Sequence, residues 1–270
     1  MKFFEGCTAL VTGASSGLGA EFARQLAPRA SVLVLVARRN DRLESLRAEL
    51  GEKFPDLSVL IYAADLAIEE KRDELAVWLH DQGIRVDFLI NNAGLGDHGE
   101  FQVSEWERVR AMLDVNISAL THLTHLLLPG MRGMGRAAVL NVSSVASFFP
   151  LPNMAVYSAT KAYVTSFTEA LGMELTGTGI SVTALCPGPV KTEFFEVATR
   201  PGEEDQSAHY ETMDAFVVTP EEAVRSGLEA VAGDRPRVIP GALLAVSVAV
   251  AGVIPFFIVR GILKLSRSRI

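Results

Sequence analysis

Short apolar, β-branched runs alternate along this chain with longer segments whose apolar positions recur every three to four residues. The runs at Thr8–Val11, Ser31–Ala37, Ser58–Ala63, Val86–Ile90, Ala137–Val142 and Ile180–Cys186 predict strands. Each is nearly all apolar, as a strand covered on both faces should be. Between them the spacing predicts helices over 18–27, 41–53, 68–82, 104–129 and 154–176, with Pro28 and Gly83 where the first and third should stop. Such alternation implies an α/β fold, a doubly wound parallel sheet with helices on both faces. The rhythm breaks at 193–219, where Phe194 and Phe195 lead into an acid-rich stretch from Thr199 to Asp214 containing Pro201-Gly202. A loop of that length in a compact domain is usually a functional lid or is disordered. Thr219-Pro220-Glu221-Glu222 then supplies an N-cap, a first-turn proline and early acids for a helix over 220–232, and Arg237–Pro240 fits a last short strand. Residues 1–240 thus read as one domain and 241–270 as an apolar tail.

Composition narrows the picture. With 270 residues, 49% of them hydrophobic and 21% charged, the chain is long and apolar enough to enclose a proper core, which excludes a disordered polypeptide. Cys7 and Cys186 are too few for a disulfide framework or a four-ligand zinc site, and Cys186, ending a buried strand, reads as inert core. A net charge of −7 argues against nucleic acid as a partner. That charge is uneven: residues 235–270 carry six basic side chains and no acid, leaving 19 basic against 32 acidic residues in the rest. An acidic body with a basic, apolar tail suits a membrane surface or an acidic partner. Met1-Lys2-Phe3-Phe4 is followed at once by Glu5-Gly6, with no apolar run of a secretory signal, so the body is expected in the cytoplasm.

Three local patterns carry chemistry. After the first strand comes Thr12-Gly13-Ala14-Ser15-Ser16-Gly17-Leu18-Gly19. Glycines 13, 17 and 19 between a strand and a helix let backbone amides approach a pyrophosphate, although a plain tight turn has the same composition. The second strand ends in Ala37-Arg38-Arg39. An acid in the slot of Arg38 would bind a ribose 2′-hydroxyl, whereas a guanidinium suits a 2′-phosphate in charge and bidentate geometry, so NADP is favoured over NAD. Arg38 and its neighbour Arg39 are the cofactor-binding candidates here, the alternative being a solvated pair opening the next helix. Lastly, Tyr157 and Lys161 stand four apart on one helix face. A phenol ionises near pH 10, and acid–base work near neutrality needs that lowered by roughly 3 units, or about 4 kcal/mol, to which an adjacent ammonium contributes.

Taken together these motifs resemble the short-chain dehydrogenase/reductase family over roughly residues 5–240. The matches are the glycine motif 12–19, Asp65-Leu66, Asn91-Asn92-Ala93-Gly94, Asn116, Ser143-Ser144, Tyr157 with Lys161, and Pro187-Gly188-Pro189-Val190-Lys191-Thr192, in the family's order. The run from Asn92 to Gly99 and the apolar tail are similar to the bacterial branch of NADP-dependent 3-oxoacyl and hydroxysteroid reductases. The resemblance implies a Rossmann domain in which Tyr157 protonates a carbonyl oxygen, Lys161 binds the nicotinamide ribose and acidifies the phenol, Ser144 bonds the substrate oxygen and Asn116 holds a relay water. It further implies that Ser15, Ser16 and Leu18 line the phosphate turn, Asp65 and Leu66 meet the adenine, Asn92, Ala93 and Gly94 the ribose region, Pro187, Gly188 and Val190 the nicotinamide pocket, and Thr192 the carboxamide. Asn91 is expected to brace the sheet, and His98 to be solvated rather than catalytic. Ala119 stands where members often have glycine after Asn116, and Thr160 replaces a frequent serine; neither removes a reacting group.

The function expected is hydride transfer between NADP(H) and a carbonyl or secondary alcohol of an apolar substrate. Phe148, Phe149, Leu151, Met154, Phe194 and Phe195 are candidates for its pocket, some of them with an equal claim to be plain core. A non-catalytic NADP-sensing or scaffold protein, and an epimerase or dehydratase on the same fold, are the competing readings. A homodimer or homotetramer is expected from the resemblance. Val238 to Val259 runs 22 residues without a charge, enough by length to span a bilayer. A span would separate the body from Arg260, Lys264, Arg267 and Arg269, yet both call for the cytoplasmic side. Two helices, 241–254 and 255–268, lying on a membrane or covering the cleft, are therefore expected, with a subunit interface as the alternative.

Overall fold

The computed structural model describes residues 2–200 and 216–254. Seven strands form one sheet in the order β3-β2-β1-β4-β5-β6-β7, every pair parallel. They are β1 (Thr8–Thr12), β2 (Val32–Ala37), β3 (Ser58–Ala63), β4 (Phe88–Asn91), β5 (Ala137–Val142), β6 (Ile180–Leu185) and β7 (Arg237–Val238). On one face lie α1 (Gly17–Leu26), α2 (Asn40–Lys53) and α8 (Pro220–Ala232), where Phe22, Leu26, Leu43, Leu50, Leu228 and Val231 share a core. On the other lie α3 (Glu69–Asp81), α5 (Leu120–Met131) and α6 (Ala155–Glu174), packed through Leu75, Leu79, Leu123 and Leu171. The chain leaves β1 for β2 and β3 on one side, then crosses to β4 and onward on the other. The crevice beyond the carboxyl ends of β1 and β4 is where such a sheet binds ligands.

Two expectations need correction. Strand β3 is half-exposed, with Ser58 and Ala63 open to solvent, because it is the sheet's edge and has a neighbour on one side alone. The helix expected over 104–129 is divided into α4 (Trp106–Leu113) and α5 by a π-helical turn, Asp114–Ala119. The wider turn is a known device for redirecting a side chain, and it contains Asn116. In the tail, the first of the two expected helices, 241–254, is present as α9 (Ala242–Val253), which ends after 12 residues. Among the described residues no helix is long and apolar enough to cross a membrane. Residues 201–215 of the expected lid and the second tail helix, 255–268, lie outside the described residues, as does the Phe195 side chain.

Candidate active site

The turn after β1 is shaped by close approach. Gly13 has φ +66°, and a Cβ there would lie 2.9 Å from the Ala93 Cα; one on Gly19 would lie 2.2 Å from the Gly13 carbonyl oxygen. Only glycine tolerates both the left-handed backbone and the contact. The Thr12 hydroxyl accepts the Asn92 and Ala93 N–H groups at 2.9 and 3.0 Å, and the Asn92 Nδ2 donates to the Thr12 and Gly13 carbonyls. Asn92 thereby locks the turn to the end of β4. Ser16 is the N-cap of α1, yet its side chain does not cap the helix; its Oγ accepts from Arg39 instead. The first-turn amides of α1 are left for an anion, the arrangement that binds a pyrophosphate.

A cavity of about 390 Å³ extends from this turn across the sheet's carboxyl edge. At one end its lining includes Ser15, Ser16, Arg38, Arg39, Asp65 and Leu66, and at the other Ser144, Tyr157, Lys161, Pro187, Gly188 and Thr192. Gly13, Gly17, Leu18, Asn92, Ala93, Gly94 and Val190 also line it. Val190 is fixed by a parallel bridge to Val218, and the Pro187 carbonyl accepts the Val145 N–H at 2.9 Å. The Asp65 carboxylate accepts the Ala67 N–H, and the Leu66 carbonyl accepts from the buried Arg72. The residues present fit a phosphorylated dinucleotide: an uncapped helix N-terminus, a glycine floor and guanidinium groups along one groove.

At the far end, α6 carries Tyr157 and Lys161, both buried. The Lys161 Nζ lies 5.8 Å from the Tyr157 ring centroid and donates to the Val142 carbonyl at 2.9 Å. No carboxylate pairs with it among the described residues, and burial lowers its pKa to about 8. The Ser144 hydroxyl, just past β5, accepts the Ala146 N–H at 3.1 Å. Ser143, its neighbour, is spent on structure: its hydroxyl donates to the Lys161 carbonyl and meets the Thr165 hydroxyl at 2.7 Å. Asn116 is fully buried behind the cavity wall. It accepts the Leu95 N–H at 2.8 Å and donates to the Leu95 carbonyl and the Thr160 hydroxyl. A Cβ on Gly94 would lie 3.4 Å from both the Asn116 Oδ1 and the Lys161 Nζ, which places both groups beside that glycine. Asn91 bonds Thr124 and Asn141 inside the core, the bracing position expected of it.

The Tyr157 ring packs on Phe194, centroids 5.5 Å apart, in an apolar cluster with Leu95, Met112, Leu151 and Met154. Phe149 does not line this cavity; its ring packs edge-on against Phe148, which sits under the Arg237 guanidinium. Gly19 and Asn116 likewise stand behind the lining rather than in it.

Of the two arginines expected at the cofactor the structure brings one onto the glycine turn, and the Glu193 contact is the feature that went unread in the sequence. Arg39, rather than Arg38, reaches the phosphate turn: its Nε and Nη2 donate to the Ser15 hydroxyl, and its Nη2 to Ser16 at 2.8 Å, while Arg38 is exposed at the rim. Arg39 and Arg42 also bind Glu193, which follows Thr192 and precedes α7 (Phe194–Ala198). The spacing of Arg39 and Arg42, three apart at the start of a helix, was the one available signal.

Residues 7–202 match the short chain dehydrogenase family. The chain is 39% identical over 194 residues to a sulfoacetaldehyde reductase of Chromohalobacter salexigens, covering 70% of this chain and 74% of that protein. It is 33% identical over 193 residues to a very-long-chain 3-oxoacyl-CoA reductase of Macaca fascicularis, covering 70% of this chain and 61% of the other. Its fold is similar to a solved short-chain dehydrogenase from Sphingobium yanoikuyae in complex with NADPH, with TM-score 0.77 and 30% identity over 98% of this chain and 96% of that one.

Proposed function

This chain belongs to the short-chain dehydrogenase family, oxidoreductases acting on CH–OH groups with a nicotinamide cofactor, and on that premise we propose that it reduces the carbonyl of an apolar substrate with NADPH. One observation carries the reading. A single cavity has guanidinium groups and an uncapped helix N-terminus at one end, and a buried Tyr157–Lys161 pair walled by apolar side chains at the other.

The chemistry the cofactor supplies when bound is hydride donation to carbon. The remaining work falls to this chain. Ser144 and Tyr157 hold the substrate oxygen by hydrogen bonds, and the phenol gives its proton to that oxygen as negative charge develops there. The Lys161 ammonium favours the phenolate left behind and bonds the ribose. Asn116, fixed on both Leu95 backbone groups, keeps the turn beside Lys161 in place for a relay water. Leu95, Leu151, Met154 and Phe194 exclude water and favour an apolar substrate.

Helix α9 adds a second element. Leu244 lies over Gly188, at the nicotinamide side of the cavity, while Leu243, Val246, Val250 and Val253 are exposed on a helix without a charged residue. This supports a tail that covers the cleft with one face and meets a membrane surface with the other. The test of the reading is a ketone panel with NADPH and NADH as alternative donors, run with Arg38→Asp and Arg39→Ala beside the parent. The parent should turn over apolar ketones with NADPH at least tenfold more efficiently than with NADH, and both variants should narrow that preference. Faster turnover with NADH would overturn the cofactor assignment, and no net cofactor oxidation with any ketone would overturn the reductase.

A further inference from the structure

The segment that carries Phe194 onto Tyr157 is fastened at its two ends by different kinds of contact. At its far end the Arg200 guanidinium bonds both oxygens of Asp97 at 2.7 and 3.1 Å, with side chains 12% and 6% exposed, and Arg108 joins the same carboxylate. At its near end Glu193 accepts from the Arg42 Nη1 at 2.7 and 2.8 Å and from the Arg39 Nη1 at 3.3 Å. Here the side chains are 40% to 44% exposed. The two guanidiniums, Arg42 foremost, hold the Glu193 carboxyl below its ordinary pKa, so it is an anion at neutral pH.

Arg39 has a second duty. Its other N–H groups lie on the Ser15 and Ser16 hydroxyls of the phosphate turn, just past the end of β2. That is the corner of this fold where a ribose 2′-substituent sits. One guanidinium is therefore shared between a carboxylate that begins α7 and the position a 2′-phosphate takes.

We propose that Glu193 is an internal anion that competes with the cofactor's 2′-phosphate for Arg39, so that binding of the phosphorylated cofactor withdraws one of the two guanidiniums from the near end of the segment covering Tyr157 and loosens it, leaving Arg42 to hold Glu193 alone. The proposal rests on the NADP reading above. A phosphate brings nearly two charges and three acceptor oxygens to a guanidinium, against one charge and a looser 3.3 Å contact from Glu193. An exposed ion pair is weak enough to be exchanged in this way, whereas the buried Asp97–Arg200 pair stays closed and acts as the hinge. An unphosphorylated cofactor has nothing to offer Arg39 and leaves Glu193 in place. Glu193 is thus a specificity and positioning residue, linking which cofactor is bound to how tightly the substrate side is covered.

The experiment uses the full chain with two small probes, adenosine 2′,5′-bisphosphate and AMP, and compares the parent with Glu193→Gln, which keeps the shape and removes the charge. Affinities come from calorimetry, and hydrogen exchange follows the amides of residues 192–198. Glu193→Gln should bind the bisphosphate about three- to fivefold tighter than the parent does, the size expected for losing an exposed competing charge, with AMP affinity unchanged. In the parent, the bisphosphate but not AMP should speed exchange at 192–198, and Glu193→Gln should exchange fast with either probe. Equal or weaker bisphosphate binding by Glu193→Gln, or equal tightening toward AMP, would sink the competition while leaving the NADP reading intact. A parent that fails to prefer the bisphosphate over AMP would instead overturn the NADP reading, and this inference with it.

Discussion

The two edges of the sheet each hold a titratable group displaced by the same physics, Lys161 buried and Asp87 half-buried, and they serve different ends. At the carboxyl edge Lys161 is lowered to about 8 by burial. At the amino edge Asp87, just before β4, is raised to about 6, again chiefly by burial. Asp87 has a fixed partner, accepting the Thr8 N–H at 3.1 Å, and Arg136 nearby is occupied by the Lys2 and Glu5 carbonyls. Lys161 has one carbonyl and opens onto a cavity. A displaced pKa therefore does not mark a reactive site by itself. What separates the edges is an incompletely satisfied donor facing space for a ligand, set beside a phenol.

The sharpest break of this comparison is Tyr157→Phe. The phenyl ring keeps its packing on Phe194 and loses only the hydroxyl. Turnover should fall by roughly 10²–10⁴-fold, the range for removing a general acid, while NADPH affinity changes less than about threefold in a fluorescence titration. Retained turnover would remove Tyr157 from the chemistry.

Next in size is the pH dependence of cofactor binding. The Lys161 ammonium is present below about 8 and is lost as pH rises through that value. NADPH affinity should be level from pH 6 to 7.5 and weaken by up to about tenfold per unit well above 8, the limit for one lost proton. Lys161→Met should bind weakly with a level profile from pH 7 to 9. A parent profile as level as that of the variant would show that the ammonium is not felt by the cofactor.

How much of this was legible depends on what fixes each feature. The strands Ser58–Ala63 and Ala137–Val142 and the helix over 220–232 are set by local runs and caps, and the structure has the same bounds. The glycine turn was legible because backbone clashes dictate its residue types at fixed spacing. The π-helical turn at Asn116 was not, since an apolar stripe does not register one extra residue in a turn. Arg39 and Glu193, 154 positions apart, meet only through the fold, as do Asp97 and Arg200. The exposure of β3 follows from strand order, which apolar content alone does not fix.

At the amino edge the effect is smallest and its sign is opposite to that of a salt-bridged carboxylate. The folded pKa of Asp87 is raised, from 3.8 to about 6, so between those values the folded chain binds more protons than the unfolded one. Stability from this group therefore grows as pH falls from about 6 toward 4, and is lowest where Asp87 is ionised in both states. Asp87→Asn keeps an oxygen for the Thr8 N–H and removes the half-buried charge. At pH 7 it should be more stable than the parent by on the order of 1 kcal/mol, after allowance for solvent screening at a half-buried group. That corresponds to about 2–4 °C in melting temperature for a domain near this size. The gap should close by pH 4 in thermal melts, with turnover at pH 7 unchanged because the site is at the other edge. A gap that widens on acidification would mean that Asp87 is stabilised as the anion, with Arg136 outweighing burial.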